Sequence, residues 1–229
     1  MSAARGALRR RPQLSEEVAA AIRHRIMTGD FRPGDFIRMD ETAAELGVSV
    51  TPVREALLTL RGEGMVNLAP HRGYVVADLS PTDVEDIFWL QSQIAVKIAL
   101  RTADAITPAD LDALTACTDR LRRAVDAGDV DEIVDAEFDF HRTHNRISSS
   151  GKLAWFLLNA THYTPHRLYA ADPEWGAVAV DSHTRLVEAY RTGDRPAIAE
   201  QVQRQFDDGA QRLTKRLADA GIWEGDAPR

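Results

Sequence analysis

The stretch Gly47–Leu60, "GVSVTPVREALLTL", decides the fold of the first third of the chain. Gly47 stops what precedes it, Ser49 or Thr51 can cap a helix, and Pro52 is tolerated in a helix's first turn. Val53, Ala56, Leu57 and Leu60 then recur at helical spacing and predict a buried stripe. Val50, Thr51, Arg54 and Arg61 fall on the other, bare side. A tight turn followed by a helix with a bare polar face suits the major groove of DNA, where base edges carry a distinguishable pattern of donors and acceptors.

The flanks extend this reading. Leu14, Val18, Ile22 and Ile26 recur every four residues and predict a helix running to about Gly29. "RPGDF" (Arg32 to Phe36) has turn chemistry, and a short helix fits Asp40 to Leu46 with Asp40 as its cap. After the stretch, "GEGMVNLAPHRGYVVADL" predicts two strands, Met65–Leu68 and Tyr74–Ala77, joined by a tip at Pro70–Gly73. Helix, helix, tight turn, helix and hairpin make a winged helix-turn-helix over residues 1–77. Such a shape can also be a plain packing unit, since fold alone does not imply function.

The order and spacing of these residues make the chain resemble the GntR family of bacterial transcription regulators. The marks are Ile26 to Gly34 ("I-x-x-G-x-x-x-P-G"), Leu46 to Leu60 ("LGVS-x-TPVREAL-x-x-L"), "GEGMV" and the tip "HRGY". The resemblance implies that Thr51 and Arg54 contact DNA from the recognition helix, with Ser49 at a phosphate. It places His71, Arg72 and Gly73 at the wing tip. Two positions depart from the family pattern: Val50 and Asp40 stand where arginine is usual. An arginine contact of this kind is worth roughly 1–3 kcal/mol of base discrimination. Val50 either touches a thymine methyl or merely shortens the contact while phosphate contacts compensate. Both readings stay open.

Charge separates the two halves. Residues 1–77 hold 11 arginines against 9 acidic residues, whereas residues 78–229 hold 17 basic against 26 acidic, summing to the overall −7. Arg5, Arg9, Arg10 and Arg11 form a basic arm, and arginine outnumbers lysine 25 to 3. Guanidinium grips phosphate and guanine in a bidentate fork, so this bias favours a polyanion-facing front half. No apolar run approaches the ~20 residues of a membrane span. The start of the chain lacks the apolar core of a signal peptide. The single cysteine, Cys117, excludes an internal disulfide and fits a cytoplasmic protein.

From Ser80 onward helix starts repeat without strand alternation. "SPTD" at Ser80 and "TPAD" at Thr107 are capping boxes in acidic form, and "DVDE" at Asp129 and "DRPA" at Asp194 repeat the signal. The fold class is therefore mainly α: a winged helix-turn-helix, a linker over 78–82, and an all-α bundle of about six helices over 83–219. On the helix from Asp129, one face reads Asp131, Asp135, Asp139, Arg142, Arg146, a solvent side. The opposite stripe points Glu137, His141 and His144 inward. His183 and Gln91 lie on inner stripes of other helices, and Pro165 should kink the apolar helix "LAWFLLNATHYTPHRLY", with His162 and His166 flanking the kink. Glu137, His141 and His183 are a donor set for one divalent metal of the zinc, nickel or manganese class. Scattered hydrogen-bonded core histidines are the competing reading.

This half is similar to the FCD ligand-binding domain of the FadR-type GntR subgroup, through Glu137–His141, "SSG" (Ser149 to Gly151) and "SHTRLVEAYRTGD" (Ser182 to Asp194). The coincidence of several inner polar residues points to a polar cavity, and with the resemblance it gives an effector pocket at Gln91, His141, His144, His162, His183 and Gln205. The resemblance implies metal ligands at Glu137, His141 and His183, with Gln205 in place of a last histidine and Gln91 in place of an effector-binding arginine. Amides are poor zinc ligands, but three ligands plus water still hold a metal. The expected protein is a regulator, a repressor by resemblance although the family has activators, that binds a pseudo-palindromic double-stranded operator as a homodimer. A small metabolite, such as a carboxylate, would control it. The rivals are a metal-dependent enzyme built on Glu137, His141 and His183, and a ligand-free DNA-binding scaffold; no nucleophile or cofactor motif supports the enzyme.

Overall fold

The computed structural model of the chain describes residues 12–223; the arginine arm at positions 5 and 9–11 lies outside the described residues. The backbone divides into two compact units between Leu79 and Ser80. The first contains α1 (Pro12–Thr28), β1 (Phe36–Ile37), α2 (Met39–Leu46), α3 (Val50–Gly62), β2 (Val66–Ala69) and β3 (Gly73–Val76). Val18, Ile22 and Met27 of α1 meet Val53, Ala56, Leu57 and Leu60 of α3, and Val66, Tyr74 and Val76 close the core from the sheet. Leu14, expected on the buried stripe, is instead 47% exposed in the first turn of α1. Gly47 adopts a left-handed conformation (φ 66°), and its N–H caps α2 on the carbonyls of Ala43 and Ala44. That conformation suits glycine and makes the sharp turn into α3.

Three local expectations are corrected. Arg38, not Asp40, caps α2, because its extended backbone ends β1 and its carbonyl accepts Thr42 N–H at 2.9 Å. Asp40 thus lies in the first turn, where a carboxylate suits the helix dipole. The strands sit one residue off the expected bounds. They also form a three-stranded antiparallel sheet in the order β1-β3-β2, with Phe36 opposite Val75 and Ile37 opposite Tyr74. β1 is too short to show alternation, and its first residue, Phe36, falls in the expected turn.

The second unit is helical: α4 (Pro81–Ala105), α5 (Pro108–Ala127), α6 (Val130–Ile147), α7 (Gly151–Ala160), α8 (His166–Ala170), α9 (Pro173–Thr192) and α10 (Arg195–Asp219). The capping boxes at Ser80/Asp83 and Thr107/Asp110 both form, and Asp129 and Asp194 cap α6 and α10. Among the described residues seven helices replace the expected six or so, because the segment around Pro165 breaks rather than kinks. Thr161–Tyr163 tightens into a 3-10 turn, and Thr164 N–H donates to Thr161 O at 2.9 Å. Pro165 has no N–H to continue the ladder, so α8 starts afresh at His166. The Gln91 amide donates to Ala160 O at 3.0 Å and its carbonyl receives the Thr164 hydroxyl at 3.4 Å, tying α4 to the break.

Ala95, Ile98 and Ala99 of α4, Leu114 of α5, Phe140 of α6, and Leu186, Val187 and Tyr190 of α9 share the main bundle core with Ile198 and Val202 of α10. α10 approaches α4 at Gly209, where a Cβ would stand 2.7 Å from the ring edge of buried Phe88. The Tyr169 hydroxyl also donates to Gly209 O at 2.6 Å, so the backbone there cannot retreat freely. Gly209→Ala should therefore lower bundle stability by about 1–3 kcal/mol, read as an earlier thermal or urea transition.

A buried polar cluster in the same core gives a pH prediction. His144 Nε2 lies 2.5 Å from the Tyr190 hydroxyl, which also donates to Ala99 O at 3.2 Å, and His144 Nδ1 lies 3.2 Å from Asn145 Oδ1. Burial pushes the His144 pKa down from 6.5 to about 4. Between those values the unfolded chain binds more protons than the native one. The stability this group contributes is complete above pH 6.5 and drains as pH falls toward 4. Melts from pH 7.5 to 4.5 should show that decline, and His144→Gln should make it shallower.

Candidate nucleic-acid interface and metal centre

The exposed side of α3 carries Thr51, Arg54, Glu55, Leu58 and Arg61, with Val50 half-buried at its first residue. Ser49 is the residue before the helix, yet its hydroxyl makes no capping bond to α3. Two groups of arginines in this unit contrast. Arg23 forks onto Glu63 at 2.6 and 3.0 Å, and Arg25 pairs with Glu45 while lying 3.9 Å over the Phe31 ring. These hold the unit together. Arg54, Arg61 and Arg72 pair with no carboxylate among the described residues, so their charge is unspent. Arg72 instead sits over the Phe36 ring, 5.3 Å from its centroid, at a tip where His71 has φ 60° and Gly73 φ 97°. Sequence reasoning missed Phe36 and Leu58 as exposed groups on this unit. Leu58 was findable, being four residues after Arg54 and off the buried stripe.

In the bundle, α6 and α9 bring Glu137, His141 and His183 together, with one donor atom from each within 4.8 Å of the others. Glu137 Oε2 is 3.3 Å from His141 Nε2, and Glu137 Oε1 is 3.5 Å from His183 Nδ1. Two ligands about 2.1 Å from a tetrahedral centre stand roughly 3.4 Å apart, so each imidazole nitrogen lies at ligand spacing from one of the two Glu137 oxygens. Glu137 Oε1 and both ring nitrogens of His183 are buried without a hydrogen-bond partner among the described residues. Buried polar atoms are otherwise nearly always bonded, and leaving one unpaired costs about 1–3 kcal/mol.

Electrostatics prepares the same state. Burial pushes His183 down to about 4, leaving a neutral imidazole with an open lone pair. Burial alone would raise Glu137, but the charges of His183 and His141 and the His141 hydrogen bond outweigh it, so the carboxyl stays below its ordinary value. An ionised carboxylate and a neutral imidazole are the forms that bind metal. The triad can hold a metal ion.

The other expected pocket residues are spread more widely. Gln205 of α10 reaches the triad, with Nε2 3.4 Å from His141 Nε2. His144 lies one turn along α6 in its bond with Tyr190, and Gln91 serves the helix break. His162 lies on the 3-10 turn, and His166, the first residue of α8, is within electrostatic reach of Glu137 and His141. Phe140 was not anticipated. Its ring stacks on His183 at 3.8 Å between centroids and fixes that imidazole's plane. Asp139 turns away, as expected, onto Arg120 and Arg142.

Known proteins share both units. Residues 14–76 match the bacterial regulatory proteins of the gntR family, and residues 86–208 match the FCD domain. An HTH-type transcriptional regulator of Agrobacterium vitis is 35% identical over 126 residues, covering 54% of this chain and 74% of that protein. The HTH-type transcriptional repressor RspR of Escherichia coli is 23% identical over 191 residues, covering 81% and 82% of the two chains. The solved structure of E. coli McbR/YncC has the same fold, with a TM-score of 0.67 at 22% identity over 89% of this chain and 98% of that one. A free-arginine recognition helix and a wing in one unit, and a histidine-carboxylate helical bundle in the other, therefore have one common setting: the chain belongs to the GntR family of transcription regulators, in the subgroup that carries an FCD domain.

Proposed function

We propose that the chain is a homodimeric, metal-loaded repressor whose FCD bundle senses a small carboxylate. The family makes it a DNA-binding transcription regulator rather than an enzyme. The observation that carries the finer reading is that Glu137 Oε1 and both His183 ring nitrogens, beside His141, are buried with no hydrogen-bond partner among the described residues. Glu137, His141 and His183 would hold the ion and Gln205 would stand at its fourth side. When bound, the ion supplies positive charge and exchangeable positions for an anionic ligand. Dimerisation is supported by α7, which leaves Trp155, Phe156 and Leu158 each more than half exposed. Apolar exposure of that kind favours a partner surface. Two recognition helices related by a two-fold axis match a pseudo-palindromic operator. Repression is supported by the likeness to RspR. The effector must favour one arrangement of the bundle to release DNA.

Two experiments test this. Arg54→Ala should abolish gel-shift binding to a duplex carrying the DNA upstream of its own gene while the protein still melts normally and elutes as a dimer. Retained specific binding would overturn the recognition-helix assignment, and a monomeric wild type would overturn the dimer. Zinc, nickel or manganese added to chelator-stripped protein should raise its melting temperature. The gain is about 2.7 kcal/mol at a hundredfold excess over Kd, and it should vanish in His141→Ala. A melt unmoved by all three metals, with none found by elemental analysis, would favour the ligand-free scaffold.

A further inference from the structure

Strand alternation on the wing sends Ile37 and Tyr74 into the core and Phe36, with Val75 and Asn67 in the same row, to the outer face. Phe36 is 43% exposed there, whereas Ile37 beside it is buried. A phenylalanine on that face gains little from the core, and its neighbour is a cation. The Arg72 guanidinium carbon lies over the ring, 5.3 Å from the centroid.

The backbone explains why Arg72 needs such a neighbour. Arg72 N–H donates to Ala69 O at 3.0 Å, closing a turn with Pro70 second and His71 third, the latter at φ 60°. That turn fixes where Arg72 leaves the wing, but the long side chain keeps its rotamer freedom. A carboxylate neighbour would hold the guanidinium at the cost of its charge, as Glu63 does for Arg23. An aromatic ring orients the guanidinium face and leaves the charge and its edge N–H groups available.

We propose that Phe36 is a positioning residue for DNA binding, its ring holding the Arg72 guanidinium ready for a backbone phosphate or base edge. This rests on the reading of the wing as a DNA contact. Phe36 itself need not touch the nucleic acid.

Fluorescence anisotropy with a labelled duplex carrying the DNA upstream of the gene tests it on the full chain, using Phe36→Leu, Phe36→Trp, Arg72→Ala and the Phe36→Leu/Arg72→Ala double variant. Arg72→Ala should weaken binding and reduce the slope of log K against log salt by about one. Phe36→Leu should weaken binding roughly two- to fivefold, the worth of an exposed cation–π contact. Phe36→Trp should restore it, and in the Arg72→Ala background Phe36→Leu should add nothing. An equal loss from Phe36→Leu in both backgrounds would mean a structural or direct role and overturn the proposal. So would full affinity in Phe36→Leu when Arg72→Ala is weakened. Unchanged affinity in Arg72→Ala would overturn the wing contact itself.

Discussion

The buried Glu137 carboxylate is the constraint around which the helical unit is arranged. Its side chain is only 12% exposed, and a charge so placed costs several kcal/mol unless something compensates it. Part of the compensation comes from the hydrogen bond with His141 on the same helix, while the neutral ring of His183 on α9 stands 3.5 Å from the other carboxylate oxygen. Phe140 stacks on His183 and also sits in the main core, so the ring that orients His183 is itself held by packing. Replacing the triad with apolar residues would remove the cost and the donor set together. The arrangement makes sense for a unit that trades stability in the metal-free state for a site.

The winged unit applies the opposite economy to its charges. Arg23 and Arg25 are neutralised by Glu63 and Glu45, and these pairs tie α1 to the end of α3 and to α2. Arg54, Arg61 and Arg72 keep their charge. Composition alone could not make this division, because all five are arginines within fifty residues of one another. Val50 and Asp40 sharpen it further. With an aliphatic residue opening α3 and a carboxylate in the first turn of α2, the cationic reach of α3 and the wing rests on Arg54, Arg61 and Arg72. Leu58, exposed on the same helix, adds a second aliphatic group to that side.

How much of this was legible in sequence depended on whether the partner lay nearby in the chain. The α3 stripe, both capping boxes and the pairing of Glu137 with His141 involve residues three or four apart, and helical periodicity exposes them. His183 joined the set because it lies on an inner stripe of its own helix. The rest required tertiary structure. Phe36 belongs to a two-residue strand whose pairing partner is 39 positions away, so no alternation marks it. His144 looked like a pocket group because it shares the stripe of His141, and its bond with Tyr190 depends on how α9 packs. Pro165 announced a disruption, but whether a helix bends or ends depends on what can receive its carbonyls. Here the amide of Gln91, 69 residues earlier, donates to the Ala160 carbonyl and makes the break tolerable.

That use of Gln91 bears on what the bundle can sense. The FCD resemblance implies an arginine at this position that would help hold a carboxylate. The glutamine carries no charge, and its amide is committed on both sides to the α7 break. Gln205 is likewise neutral where the pattern has a histidine. The cationic help that an anionic effector would find at these two positions is thereby reduced, and under the proposed reading a divalent ion would supply positive charge in its place. Under the proposed reading, effector recognition and metal loading are then coupled: a carboxylate gains little from the metal-free bundle and much from the loaded one. The same ion would relieve the buried Glu137 charge and the unpaired nitrogens of His183, so one binding event would stabilise the bundle and prepare it for its ligand.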